Sequence, residues 1–143
     1  MVTHSSILLI DDSPGERELF RLALKQTGLD VALFTEQDAE TGFYFLNSPA
    51  DLPTFILLDW HLGKQRGDEF LKRLRADSRL TTIPVVVFTT SDDASDLSLA
   101  YASGANGYVV KPGTFAELIQ CTSAICRYWL ERNRVPQMVE TPC

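Results

Sequence analysis

Two unbroken apolar runs, Ile7-Leu8-Leu9-Ile10 and Phe55-Ile56-Leu57-Leu58, end abruptly on carboxylates, Asp11-Asp12 and Asp59. Runs this short without polar alternation predict strands buried on both faces, as at the centre of a parallel sheet, although periodicity alone also admits a buried helical turn. Pro53 before the second run and Gly63 and Gly67 after it favour a strand. Three further strands follow from the pattern: a short one over Val31 to Phe34, the β-branched Ile83 to Phe88 running into Thr89-Thr90-Ser91, and Gly107 to Val110 ahead of Lys111-Pro112-Gly113.

Helical periodicity fills the intervals. Ser13-Pro14-Gly15-Glu16 supplies an N-cap, a proline for the first helical position and a glutamate placed for a capping box, and Gly28 predicts the C-terminal stop. Thr35 or Asp38 can cap a helix carrying Ala39, Phe43 and Leu46 that ends near Asn47-Ser48-Pro49, and Asp68 to Ala76 puts Phe70, Leu71 and Leu74 on one face. Asp92-Asp93 lead into a modest helix stopped by Gly104, and Thr114 with Glu117 opens the last one, whose apolar stripe runs through Leu118, Ile125, Trp129 and Leu130.

Strands alternating with helices mean βαβ units, which close right-handed into a parallel sheet. The expected fold is α/β and flavodoxin-like, (βα)5, with strand order 2-1-3-4-5 and helices on both faces. Strands one and three are then neighbours, and Asp11, Asp12 and Asp59 face one another across a crevice at the carboxyl ends of the strands, where such sheets bind their ligands.

Composition narrows the function. At 143 residues the chain fits one domain, 6–133, with a frayed tail at 134–143 and no output domain expected. Nineteen acids against thirteen bases give a net charge of −6, which argues against nucleic acid and suits a basic patch or a metal cation. No apolar run approaches the roughly 20 residues that span a bilayer, so a cytoplasmic protein with no membrane partner is expected. Cys121, Cys126 and Cys143 form no Cys-x-x-Cys pair, and His4 and His61 are too few for a histidine-rich metal site.

Three carboxylates in one crevice repel one another unless a cation sits among them or some are protonated, and an all-oxygen donor set suits Mg²⁺. A carboxylate can also attack phosphorus to give an aspartyl phosphate. Lys111 at the end of strand five would bring a cation to the phosphoryl oxygens, and Thr89 at the end of strand four a hydroxyl donor. Taken singly each of these residues has an ordinary reading as a loop acid, a surface base or a strand threonine. Together they share one rim.

These motifs, Leu9-Ile10-Asp11-Asp12-Ser13, Leu57-Leu58-Asp59 with Gly67 eight positions on, Val87-Phe88-Thr89-Thr90, Gly104 to Tyr108 and Val110-Lys111-Pro112, resemble the receiver domain of two-component response regulators over about residues 6 to 130. The resemblance implies that Asp59 accepts phosphate from a sensor histidine kinase, with Mg²⁺ held by Asp11, Asp12, Asp59 and the main-chain carbonyl of His61. It implies that Thr89 and Lys111 sense the phosphoryl group, that Thr89 and Tyr108 form a switch acting on a surface made by the fourth helix, the fifth strand and the fifth helix (α4-β5-α5), and that Lys111-Pro112 is a cis peptide. It implies a signalling protein rather than an enzyme, with at most slow self-dephosphorylation. Leu62-Gly63 departs from the family's usual Met/Leu-Pro, which loosens the loop after Asp59, and Gly113 replaces a common phenylalanine; position 61 and Ser91 are where such proteins tune phosphate lifetime.

The Ile83 to Ser91 segment and the aromatic-rich ending from Tyr128 are similar to single-domain regulators paired with bacterial phytochrome kinases. A homodimer is expected through Ile125, Tyr128, Trp129 and Leu130; the competing use of these side chains is intramolecular, with Val135, Pro136 and Met138 folding back over the aromatics. Two alternatives from other classes are an aspartyl-nucleophile phosphohydrolase and an FMN-binding flavodoxin-like module. The second lacks a Ser/Thr/Gly-rich phosphate cradle after strand one.

Overall fold

A computed structural model describes residues 5–48 and 51–136; His4, Pro49, Met138 and Cys143 lie outside them. Five parallel strands, β1 (Ser6–Ile10), β2 (Ala32–Glu36), β3 (Phe55–Leu58), β4 (Val85–Thr89) and β5 (Gly107–Val110), lie in the order β2-β1-β3-β4-β5. Helices α1 (Pro14–Thr27), α2 (Ala39–Leu46), α3 (Gly67–Ala76), α4 (Ala94–Ser103) and α5 (Phe115–Cys126) alternate with them. This is the doubly wound, flavodoxin-like arrangement that the pattern predicts.

The pleat divides the apolar runs between two cores. Leu8, Ile10, Ile56, Leu58, Val85 and Val87 pack with side chains from α2, α3 and α4. Their sequence neighbours Ile7, Leu9, Phe55, Leu57, Val86 and Phe88 pack with Phe20 and Leu24 of α1 and Ile125 and Cys126 of α5. Because both faces are covered, β1 and β3 are buried at every position, and each large side chain contributes about 1.5–3 kcal/mol relative to exposure. The register sets Ile10 beside Leu58 and Leu58 beside Val87, so the residues that follow these strands emerge in one row.

Caps fix where the helices begin. The Ser13 and Thr114 hydroxyls accept from the Glu16 and Glu117 amides, and Asp38, rather than Thr35, caps α2 in a full capping box with Thr41. The expected reciprocal half of the first box is absent, because Ser13 N–H donates to Asp11 Oδ1 instead. Gly28 and Gly104 end α1 and α4 with φ of 73° and 115°.

Three features go beyond the pattern. Asp59 is followed by a two-stranded ribbon, His61–Leu62 against Gln65–Arg66, turned at Gly63 with φ 63°. Arg75 on α3 donates to the carbonyls of Thr81, Ile83 and Gly104 and to Asn106 Oδ1 at 2.6–3.0 Å, tying α3 to the end of α4 and the approach to β5. After α5 the chain widens into a π-helical stretch, Arg127–Arg132, closed by Asn133 N–H on the Tyr128 carbonyl.

The domain itself covers part of the stripe expected to be exposed. Trp129, one turn on from Ile125, lies over the sheet, where its ring packs 6.4 Å from that of Phe55 and beside Gly107, whose missing Cβ leaves room for it. Ile125 is buried, and Leu130 packs against the same core, which leaves Tyr128 half-exposed as the remaining surface aromatic. Val135 and Pro136 line a groove with Tyr128 and Trp129, nearer to the intramolecular use of these side chains than to a free apolar stripe.

Arg75→Ala strands several carbonyls at once, and its fork cannot be replaced by a single ammonium. The expected loss is about 3 kcal/mol in urea unfolding, with Arg75→Lys recovering little of it, given that a hydrogen bond to a charged group contributes about 1.5–3 kcal/mol. A variant within a few tenths of a kcal/mol of the native chain would show that these bonds are replaced by water without cost.

Candidate functional site

The crevice lies where β1 and β3 end. The Asp59 amide donates to the Ile10 carbonyl (2.9 Å), and the Lys111 amide donates to the Thr89 carbonyl (2.8 Å), so the ladder continues one step past the strands and locks the rim residues in place. Oxygens of Asp11, Asp12 and Asp59 lie within 4.8 Å of one another, with Asp11 buried, Asp59 half-buried and Asp12 exposed. Each acid is separately held. Asp11 Oδ1 accepts from the Ser13 amide (2.9 Å), Asp12 Oδ2 from the Gly63 amide (3.0 Å), and His61 N–H faces Asp59 Oδ1 at 3.4 Å.

Lys111 crosses from β5 into this cluster, with its side chain only 8% exposed. Its Nζ stands 2.7 Å from Asp11 Oδ2, 3.5 Å from Glu16 Oε2 and 3.6 Å from Asp59 Oδ2. Burial works against the ammonium, but the Asp11 hydrogen bond and the charges of Asp59, Asp11 and Glu16 outweigh it and lift the Lys111 pKa above the usual lysine value. Burial likewise pushes the Asp59 carboxyl up. Lys111 opposes that rise, the Asp11 charge adds to it, and the His61 amide and Thr89 hydroxyl oppose it. The site therefore carries more negative charge than its one ammonium balances, and its donors are all oxygens, which fits a hard divalent cation.

The other predicted residues divide. Thr89 is buried at the end of β4, and its Oγ1 accepts from the Ser91 amide at 3.3 Å. Tyr108 on β5 donates its hydroxyl to the Ser91 carbonyl at 2.9 Å, and burial raises its pKa. The His61 side chain is outside the acid cluster, with Nε2 3.5 Å from Asp96 Oδ2, so only its main chain stands near the acids. Lys111-Pro112 is trans, as is every peptide among the described residues, so the cis bond implied by the resemblance is corrected; trans is the form favoured by about 0.5–1 kcal/mol for an X–Pro bond, and Lys111 reaches Asp11 in it. Space is open at Gly113, where the family often carries phenylalanine.

Pattern reading missed Glu16 as a neighbour of Lys111, Gly63 as a donor to Asp12, and Asp96. Gly63 had a signal: glycine where proline is usual supplies both a positive φ and an N–H, and proline has neither. The turn after β1 holds two carboxylates where a flavin-binding fold cradles phosphate, which disfavours the FMN alternative.

The response regulator receiver domain family matches residues 7–123. A probable methanogenesis regulatory protein, FilR2 of Methanothrix harundinacea, is 34% identical over 91% of this chain and 86% of its own length. Response regulator Rcp1 of Synechocystis sp. is 34% identical over 91% of this chain and 92% of its own length. The Mn(2+)-bound form of Rcp1 superposes with a TM-score of 0.80 at 31% identity, covering 93% of this chain and 99% of that one. The phosphorylated cyanobacterial phytochrome response regulator RcpA gives 0.86 at 29% identity, covering 94% and 100%. With the family match spanning most of its length and relatives this similar end to end, the chain belongs to the response regulator receiver domains of two-component signalling.

Proposed function

We propose that Asp59 is the phosphoacceptor, taking a phosphoryl group from a phosphohistidine of a sensor histidine kinase. One observation carries the reading: a half-buried carboxylate stands between a buried lysine and two further acids, with a threonine hydroxyl beside it. An Asp59 oxygen forms the new bond to phosphorus, the P–N bond to the donor histidine breaks, and its electron pair stays on the imidazole. Mg²⁺ held by Asp11, Asp12, Asp59 and the His61 carbonyl would neutralise charge on the transferring group. Lys111 is already beside Asp59 Oδ2 and needs only to turn from Asp11 to meet a phosphoryl oxygen. The protein acts as a stoichiometric acceptor in the cytoplasm, not as a turnover phosphohydrolase.

Thr89 and Tyr108 relay the event, because both are bonded to Ser91: movement of the Thr89 hydroxyl toward the phosphoryl group releases the Ser91 amide while Tyr108 keeps the Ser91 carbonyl. The face they act on is that of α4 and β5, where Leu97, Tyr101 and Val110 are exposed. Similarity to RcpA and Rcp1 supports a light-regulated kinase of the phytochrome type as partner. A homodimer in which Tyr128 takes part is the remaining element of the reading.

Acetyl phosphate with Mg²⁺ is expected to add one alkali-labile phosphoryl group to the wild-type chain and none to Asp59→Asn, read by intact mass. Unchanged labelling of the variant moves the acceptor elsewhere. Mg²⁺ alone should stabilise the fold, by about 2.7 kcal/mol at a hundred times its dissociation constant. Asp12→Ala should need on the order of ten-fold more Mg²⁺ for the same rise in unfolding temperature, since an oxygen ligand and its charge are gone. Equal Mg²⁺ dependence in both would remove Asp12 from the ligand set. Light scattering should give a dimer mass that Tyr128→Ala lowers toward the monomer; a monomeric wild type at high micromolar concentration, with and without beryllofluoride, would exclude the dimer.

A further inference from the structure

The two loops that flank Asp59 meet on one oxygen atom. From the β4 side, Ser91 Oγ donates its only proton to Asp96 Oδ2 at 2.7 Å, and its lone pairs take the Asp93 amide at 3.3 Å. From the β3 side, His61 Nε2 stands 3.5 Å from the same Asp96 Oδ2. Asp96 is in the first turn of α4, where the helix dipole favours a carboxylate, and its side chain is 17% exposed, so water offers it little competition. Between the two loops lies Asp59, facing the His61 amide on one side and the Thr89 hydroxyl on the other. Ser91 is committed at every polar group: its amide to Thr89, its carbonyl to Tyr108 and its hydroxyl to Asp96. Nothing in the acid cluster itself requires Asp96.

We propose that Asp96 is a positioning residue of the phosphoryl site, clasping the loop after β3 to the loop after β4 and thereby setting how long a phosphoryl group on Asp59 survives water. The inference rests on Asp59 being the acceptor. In hydrolysis a water oxygen forms a new bond to phosphorus, the bond from phosphorus to the Asp59 oxygen breaks, and its electron pair returns to the carboxylate. The water proton leaves on inorganic phosphate or to solvent. An in-line attack requires the water opposite the departing Asp59 oxygen, on the outward side of the phosphorus, which is the side flanked by His61 and Ser91. With the clasp closed, both loops are held to the first turn of α4 and the approach is narrow; with it open, the Ser91 hydroxyl keeps only the Asp93 amide and the His61 side chain is released.

The test labels wild type, Asp96→Ala, Asp96→Asn, Ser91→Ala and the Ser91→Ala/Asp96→Ala double variant with acetyl phosphate and Mg²⁺, removes the donor, and follows loss of the phosphoryl group by intact mass. Asp96→Ala should shorten the half-life about 3- to 10-fold, less than the more than ten-fold that a whole charge-assisted hydrogen bond corresponds to, because the clasp acts on the phosphoryl group only through the two loops. Asp96→Asn, which keeps an oxygen for Ser91, should restore most of it. The double variant should decay no faster than Asp96→Ala alone, because both substitutions open the same clasp. Half-lives within two-fold of wild type in folded Asp96→Ala, with only the unfolding temperature lowered, would reduce Asp96 to a helix-terminal residue and overturn the proposal; so would multiplicative effects in the double variant. If Asp96→Ala does not fold, Ser91→Ala carries the test by the same criterion, with Asp96→Asn expected near wild type. A wild-type chain that takes no label on Asp59 overturns both readings, whereas a labelled chain with unaltered decay overturns this one alone.

Discussion

The ion pair between Lys111 and Asp11 is the contact on which the crevice depends. Two adjacent parallel strands ending in carboxylates bring three acids within 4.8 Å, an arrangement that would splay the strand ends if no cation were present. The ammonium that answers them comes from one hundred residues further along the chain, at 2.7 Å. It can do so only because β5 lies beside β4 with Thr89 in register with Val110, and because the Lys111 amide extends that ladder by one more bond. A buried pair of this kind contributes little net stability, since both charges are taken out of water; its consequence is that the three acids are held together by one side chain, which also stands 3.6 Å from Asp59.

How much of this could be read from the chain follows from which signals are local. Strand runs ending on Asp11 and Asp59, and the caps at Ser13, Asp38 and Thr114, are properties of a few consecutive residues, and with the handedness rule they determine the rim and its members. The fork of Arg75 had no such signal, because three of its four acceptors are main-chain carbonyls that any sequence carries. The expected exposure of Trp129 fails for a similar reason: the stripe through Ile125 and Trp129 is a local pattern, but whether its last turn still meets the sheet depends on Phe55 and Gly107, more than twenty residues away.

Ser91 shows how a short loop couples distant elements without strain. Its amide, carbonyl and hydroxyl reach β4, β5 and α4, so no displacement of one is free of the others. The two main-chain bonds contribute about 1 kcal/mol each, and the hydroxyl bond to the Asp96 carboxylate somewhat more. A coupling of that size leaves both loop arrangements populated, which suits a switch better than a rigid lock.

Asp59 itself is the part that cannot move. Leu58 and Trp60, on either side of Asp59, are both fully buried, and the Trp60 ring lies so close to Gly67 that a Cβ there would meet it at 2.8 Å. The Asp59 amide is bonded to β1, and the Trp60 carbonyl accepts from Gly67 at the start of α3. Any bulkier residue at position 67 would press on the ring and through it on the backbone of Asp59, which gives the glycine eight positions beyond the acid a packing role rather than a turn role. With the carboxylate pinned from both sides, a change in its charge or size can be accommodated only by the groups facing it: the Lys111 side chain, the Thr89 hydroxyl and the two loops that carry His61 and Ser91. Rigidity beneath Asp59 therefore leaves the rim, and through Ser91 the start of α4 and β5, as the parts free to adjust.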